Sequence, residues 1–147
     1  MTTTNEPAAV RCSLCGEEHS YRDERAGGCD ALRVAGEAGA RPAGVPLRVH
    51  AAYVEAREAL RADAPAAAIR VLQWLLSHMA ETRGVNPNLP LSGKVAALSD
   101  AGIISRTIRP ALVEQARCAT SGSEEAWALM TLTEHALARA YLRRSGA

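Results

Sequence analysis

Three cysteines and one histidine fall within residues 11–29, RCSLCGEEHSYRDERAGGC, in a chain that has four cysteines in all. Cys12 and Cys15 form a CxxC with Gly16 behind it. Two thiolates at that spacing reach one ion from a tight turn, and glycine lets the turn close beneath it. A structural zinc site needs four ligands. Cys29 is a third thiolate, but it has no partner at CxxC spacing because position 32 is Leu. His19 completes the best set, Cys12, Cys15, His19 and Cys29, in the order C-x2-C-x3-H-x9-C. Asp30 and His50 are weaker candidates for the fourth place. The expectation is a zinc knuckle over residues 11–34, with zinc as a structural cofactor. The competing reading is three reduced thiols on an arm, the remnant of a four-cysteine ribbon. A segment so short and so poor in apolar residues does not fold alone without a staple, which favours the metal. A redox CxxC would open a helix after a strand, and no strand pattern precedes this one.

Other chemistry-bearing residues are scattered. Cys118 follows Arg117, and a neighbouring cation lowers a thiol pKa, but a lone cysteine near a helix end is ordinarily a small core residue. Trp74 and Trp127 are the largest side chains, expected in the core or at a helix interface. The alternative for either is an exposed anchor for a partner. The chain has no phosphate-cradling glycine loop, no HExxH and no GxSxG.

The elements that must position these residues are helices. Phe is absent, aromatics make up 3%, and Ala and Leu are abundant, a composition that favours helix over strand. Each buried Ala removes little area from water, so modest stability is expected. The N-terminal tail, residues 1–10, reads as disordered. Residues 35–46, AGEAGARPAGVP, read as a linker. From residue 47 the spacing is helical. Val49, Tyr53, Ala56 and Leu60 share one face. Asp63 or Ala64 caps a second helix, with Pro65 in its first turn. Ile69, Leu72, Leu76 and Met79 form its stripe, and Val71, Leu75 and His78 a second stripe beside it. A short helix carries Leu91, Val95 and Leu98, and Gly102 stops it at the left-handed position past the helix end. Ile103 and Ile104 tuck beneath. A fourth helix has Pro110 in its first turn and runs to about Cys118. SGS at 121–123 opens the last helix, where Ala126, Met130, Thr133, Leu137 and Ala140 line up. Glu124 and Glu125 at its start and Arg139, Arg143 and Arg144 near its end complement the helix dipole. The fold class is therefore all-α: a bundle of four to five helices over 47–147, preceded by the small zinc-knuckle-like segment.

The net charge of +1 argues against strong generic binding to nucleic acid. Residues 1–46 hold five arginines against seven carboxylates, and residues 47–147 hold twelve cations against nine. Lys94 is the one lysine. There is no apolar run of about 18 residues to span a membrane, and MTTTNEPAAV has no charged start followed by an apolar stretch. A cytoplasmic setting is expected, where close cysteines serve as metal ligands rather than disulfides.

The run VHAAYVEAREALRADAPAAAIRVLQWLL resembles the opening helix pair of a family of bacterial and phage helical domains of unknown function in the HEPN-like superfamily. The likeness continues through RGVNPNLPLSGKVAALSDAGIISRTIRPALVEQAR and ends in the SEEA start and ALARAYL near the end of the last helix. It covers roughly residues 46–143, and the N-terminal CxxC more loosely. It rests on a pattern rather than on one sharp signature. The resemblance implies a helical bundle that often dimerises, with roles in bacterial or phage host–virus conflict. Ribonucleases of this superfamily place an Arg four to six residues before a His, so that the His acts as acid or base beside a 2′-hydroxyl while the Arg steadies the phosphate. Arg117 stands at the Arg position here, but CATSGSEEAW follows it and has no His. The next is His135, expected as a helix-face residue, and Arg117 is expected to pair with Glu114 or Asp100. The second helix departs as well, with Gln73, Trp74 and Leu76 where an Arg pair and a Glu are usual. The expectation is a non-catalytic module that binds a protein or RNA partner, forms a homodimer and does not enter a membrane. Arg106, Arg109 and Arg117 are its candidate contacts in the helical part. A metal-independent ribonuclease and a purely structural homodimer are the alternatives.

Overall fold

The computed structural model of the protein describes residues 34–35, 40–117 and 122–142. Among these the regular structure is helical, with five α-helices and no strand. They are α1 (Leu47–Arg61), α2 (Pro65–Glu81), α3 (Leu91–Asp100), α4 (Arg109–Arg117) and α5 (Ser123–Leu137). The last runs on into a π-helical turn at Ala138–Leu142.

The main apolar stripes read from the sequence face inward, but of the second stripe expected on α2 only Leu75 is buried, with Val71 and His78 half-exposed. Val49, Tyr53, Ala56 and Leu60 of α1 are buried, as are Ile69, Leu72, Leu75, Leu76 and Met79 of α2. Val95 and Leu98 of α3, Leu112 of α4, and Ala126, Met130 and Leu137 of α5 complete the core. Helix α2 packs against α1, α3 and α5, which is why Leu75 is buried beside the stripe of Ile69, Leu72, Leu76 and Met79. Each fully buried Leu or Met contributes about 1.5–3 kcal/mol of transfer free energy. Ile104 is buried beneath the bundle, with Ile103 half-covered. Val34, Ala35 and Val45 are also in the core. The buried His50 ring approaches the Ala35 carbonyl oxygen through Nε2 at 3.1 Å. His50 thus serves to hold the residues before the bundle.

The first three helices end alike. After α3, the Gly102 N–H donates to the Ser99 carbonyl and the Ile103 N–H to that of Leu98, with Gly102 at φ +85°. This is the paired 5→2 and 6→1 bonding that a left-handed residue permits. After α2 the same pair runs from Gly84 to Glu81 and from Val85 to Ala80. After α1 it runs from Asp63 to Leu60 and from Ala64 to Ala59. There the left-handed residue is Asp63, at φ 61°. Asp63 therefore closes α1, and the N-cap of α2 is Ala64, which makes no side-chain cap bond. The three-residue link folds α2 back along α1 as an antiparallel hairpin, with Ala59 near Ala67 and Arg48 near Trp74.

Two arginines fasten the far end of α5. Arg139 donates from Nε to the Ile103 carbonyl and from Nη2 to that of Gly102, both at 3.1 Å. Arg83 donates to the Ala140 carbonyl at 3.3 Å, and its guanidinium lies 5.2 Å over the Tyr141 ring. These bonds satisfy carbonyls of the turn after α3 and of the π-helical turn that follows α5.

Candidate functional site

Alanine spacing on the hairpin leaves a trough on its outer side. Ala51, Ala52 and Ala59 of α1 and Ala67 and Val71 of α2 line it, with Arg48, Glu55, Arg70 and Trp74 along its margins. The trough is open and has a volume of about 550 Å³. Its floor is shallow because methyl groups stand where larger side chains would fill the crease between two helices.

Trp74 lies at one end and is 39% exposed. It shares a face of α2 with Val71, three residues before it, and His78, four residues after it, both of them half-exposed. The His78 imidazole stacks on it, one helical turn on, with centroids 4.7 Å apart and planes 13° from parallel. The Arg48 guanidinium, across the crease, lies 5.6 Å from its centroid. Such contacts restrict the indole while leaving a large apolar surface in water. Leu47, 66% exposed, stands beside Arg48 at the start of α1. Neither Arg48 nor Arg70 has a carboxylate within 4 Å among the described residues.

A second polar cluster joins α2 to α3. The Lys94 Nζ donates to Glu81 Oε2 at 2.7 Å and to Ser77 Oγ at 2.8 Å, and the Ser77 hydroxyl donates to Glu81 at 3.1 Å. Lys94 is buried. Its ammonium and the Ser77 hydroxyl hold the Glu81 carboxyl below its ordinary pKa. A serine beside a lysine resembles a nucleophile with its base. Here the Ser77 hydroxyl donates to Glu81 while Lys94 Nζ donates to both, so the serine proton faces the carboxylate rather than the lysine nitrogen. The cluster therefore acts as a clip between helices.

A third polar contact lies in the core. The Tyr53 hydroxyl donates to Glu134 Oε2 at 2.7 Å, joining α1 to α5, with both residues buried. Nothing in the sequence singled out Glu134. It neighbours Thr133 on the predicted stripe, and a carboxylate at that edge reads equally well as solvated.

Of the residues expected to contact a partner, Arg106 is exposed in the turn before α4. Arg109, the first residue of α4, lies 3.7 Å from Asp100. That places the Asp100 carboxylate beside Arg109. Arg117 ends α4, two turns away from Arg109 along the helix. His135 is half-buried on α5. Trp127 is half-buried against the core. The expected zinc ligands Cys12, Cys15, His19 and Cys29, the alternative Asp30, and Cys118 lie outside the described residues. Among the described residues no group of three or more His, Cys, Asp or Glu side chains could hold a metal. No helix among them is long and apolar enough to cross a membrane.

The chain matches no family model, and no curated protein or solved structure is similar to it.

Proposed function

We propose that this chain is a non-catalytic binding module that works by contact with a protein partner. The observation that carries this reading is Trp74, held by His78 and Arg48 at the edge of an apolar trough, yet 39% exposed. Large aromatic side chains kept in water and restricted in rotamer lose little entropy on binding, and they dominate interface energetics. The Ser77–Lys94–Glu81 cluster supports the non-catalytic part, because its three groups satisfy one another.

The cysteine segment belongs to the same proposal. Cys12, Cys15, His19 and Cys29 would hold one structural zinc, and the knuckle would add a second contact surface. The resemblance to HEPN-like domains supports a place in bacterial or phage conflict, an analogy at the level of fold.

Partner capture by tagged full-length protein tests this reading, with Trp74→Ala and Cys12→Ser/Cys15→Ser as separate variants. A partner retained by wild type and lost by at least one variant supports it. RNA cleavage that survives chelation and is lost in Arg117→Ala would replace it with a ribonuclease. A stable dimer that captures nothing would replace it with a structural protein.

A further inference from the structure

We propose that the trough between α1 and α2 receives an amphipathic helix with acidic flanks, supplied by a partner protein. The inference rests on the binding-module reading and names the chemistry of the partner.

Three observations lead to it. The first is shape. Two antiparallel helices lined by Ala51, Ala52, Ala59 and Ala67 form two walls of a three-helix arrangement. Interaxial distance between packed helices is set by the side chains at the contact, and falls toward about 8 Å where those are small. A third helix can therefore lie close along the crease. The lining on α1 runs from Arg48 to Ala59, roughly 17 Å at 1.5 Å per residue, which a partner helix of about 12–15 residues covers.

The second is the anchor. Trp74, 39% exposed, offers apolar surface at the end of the trough where Arg48 also lies. A helix docking into a groove uses apolar residues at i, i+3, i+4 and i+7, and these need such surface to cover.

The third is charge. The margins carry Arg48 and Arg70 against Glu55. Both guanidiniums lack a carboxylate partner among the described residues. Acidic side chains beside the apolar seam of the incoming helix would meet them. Nucleic acid fits less well. An alanine floor offers a phosphate backbone no donors, and two arginines opposed by a glutamate make a weak electrostatic footprint. The stacked His78 imidazole already takes up indole surface that a nucleobase would need.

The test is selection from a displayed library of amphipathic helices of about 15 residues, with an apolar seam and Glu, Lys, Gln or Ser at the flanking positions. Full-length protein is the bait. The expected result is a pool in which Glu exceeds Lys at the flanks. Binding of the selected peptides, measured by fluorescence anisotropy, should weaken about tenfold or more in Trp74→Ala. Ala51→Glu, at an exposed position that leaves the core untouched, should block them too. The double variant Arg48→Glu/Arg70→Glu should turn the preference toward Lys-flanked helices. No enriched binder, no acidic excess, or peptides indifferent to both Trp74→Ala and Ala51→Glu would overturn the proposal. So would a concentration-dependent dimer in sedimentation that Ala51→Glu abolishes, because a second copy would then cover the trough. A partner lost in the cysteine variants but retained in both trough variants would overturn this inference and leave the binding-module reading standing.

Discussion

Tyr53→Phe removes one oxygen from the interior of the bundle, and its effect can be worked out from the contact that oxygen makes. The Tyr53 side chain is fully buried, and its hydroxyl donates to Glu134 Oε2 at 2.7 Å. The bond joins α1 to α5 across 81 residues of sequence. Phe keeps the ring and its packing, so no large cavity forms. The carboxylate of Glu134, 1% exposed, loses this donor and cannot replace it with bulk water. A hydrogen bond to a charged group contributes about 1.5–3 kcal/mol. We expect Tyr53→Phe to destabilise the protein by about 2 kcal/mol in urea unfolding, with an unchanged m-value. The melting temperature should fall by about 4–8 °C for a chain of this length. A double-mutant cycle isolates the pair. In a Glu134→Ala background the same substitution should cost about 1 kcal/mol less or lower still. A loss under about 0.5 kcal/mol in the wild-type background, or an equal loss in both backgrounds, would refute the reasoning.

Other outcomes follow from single features. Asp63 occupies a left-handed position at φ 61°, so Asp63→Gly should stabilise the protein by about 0.5–1 kcal/mol in the same unfolding assay. Gly44→Ala should destabilise it more than Gly84→Ala. Both glycines have positive φ, but a Cβ at Gly44 would meet the Tyr141 carbonyl oxygen at 3.0 Å while one at Gly84 meets nothing, so the strain of about 1–3 kcal/mol is compounded only at the first. Glu81 titrates lower when folded than when unfolded, through its bonds to Lys94 and Ser77. Its contribution to stability is thus fully present above the unfolded value near 4.3 and is lost as pH falls through the lower folded value. The stability gap between wild type and Glu81→Gln should be flat at neutral pH and shrink below about pH 4. Zinc should be bound at about one ion per chain by plasma mass spectrometry, and weakened or lost in His19→Ala.

The helices were legible because burial in this bundle is periodic. The spacing of Val49, Tyr53, Ala56 and Leu60 specifies which face of α1 turns inward whatever it packs against. Gly102 was legible as a helix stop because a left-handed residue costs least when it is glycine. Asp63 defeated the same logic. Asp ordinarily reads as an N-cap, and one residue from Pro65 it sits where a cap would serve α2. The backbone instead uses it to close α1. Two helix ends share three residues there, and local propensity does not say which end takes the ambiguous residue. The Tyr53–Glu134 pair was out of reach for another reason. Its partners lie far apart in sequence, and only the packing of α1 on α5 brings them together.

Trp74 shows how an exposed aromatic can hide in an ordinary pattern. Its neighbours Leu75 and Leu76 are both fully buried, so a tryptophan beside them reads as more core. What decides its exposure is the width of the apolar arc that α1, α3 and α5 cover on α2. That arc ends at Leu75. Beyond it, alanines dominate the crease with α1, and they are too small to reach over the indole. The feature that makes the core economical in buried area thus also keeps the crease shallow and the tryptophan in water. Replacing Ala67 or Ala51 by Leu would fill the trough from within. Because both alanines are exposed, such a change should leave stability within about 0.5 kcal/mol of wild type while blocking whatever docks there. A trough that could be filled without affecting either stability or binding would be a mere consequence of alanine content, and the case for Trp74 as an anchor would fall with it.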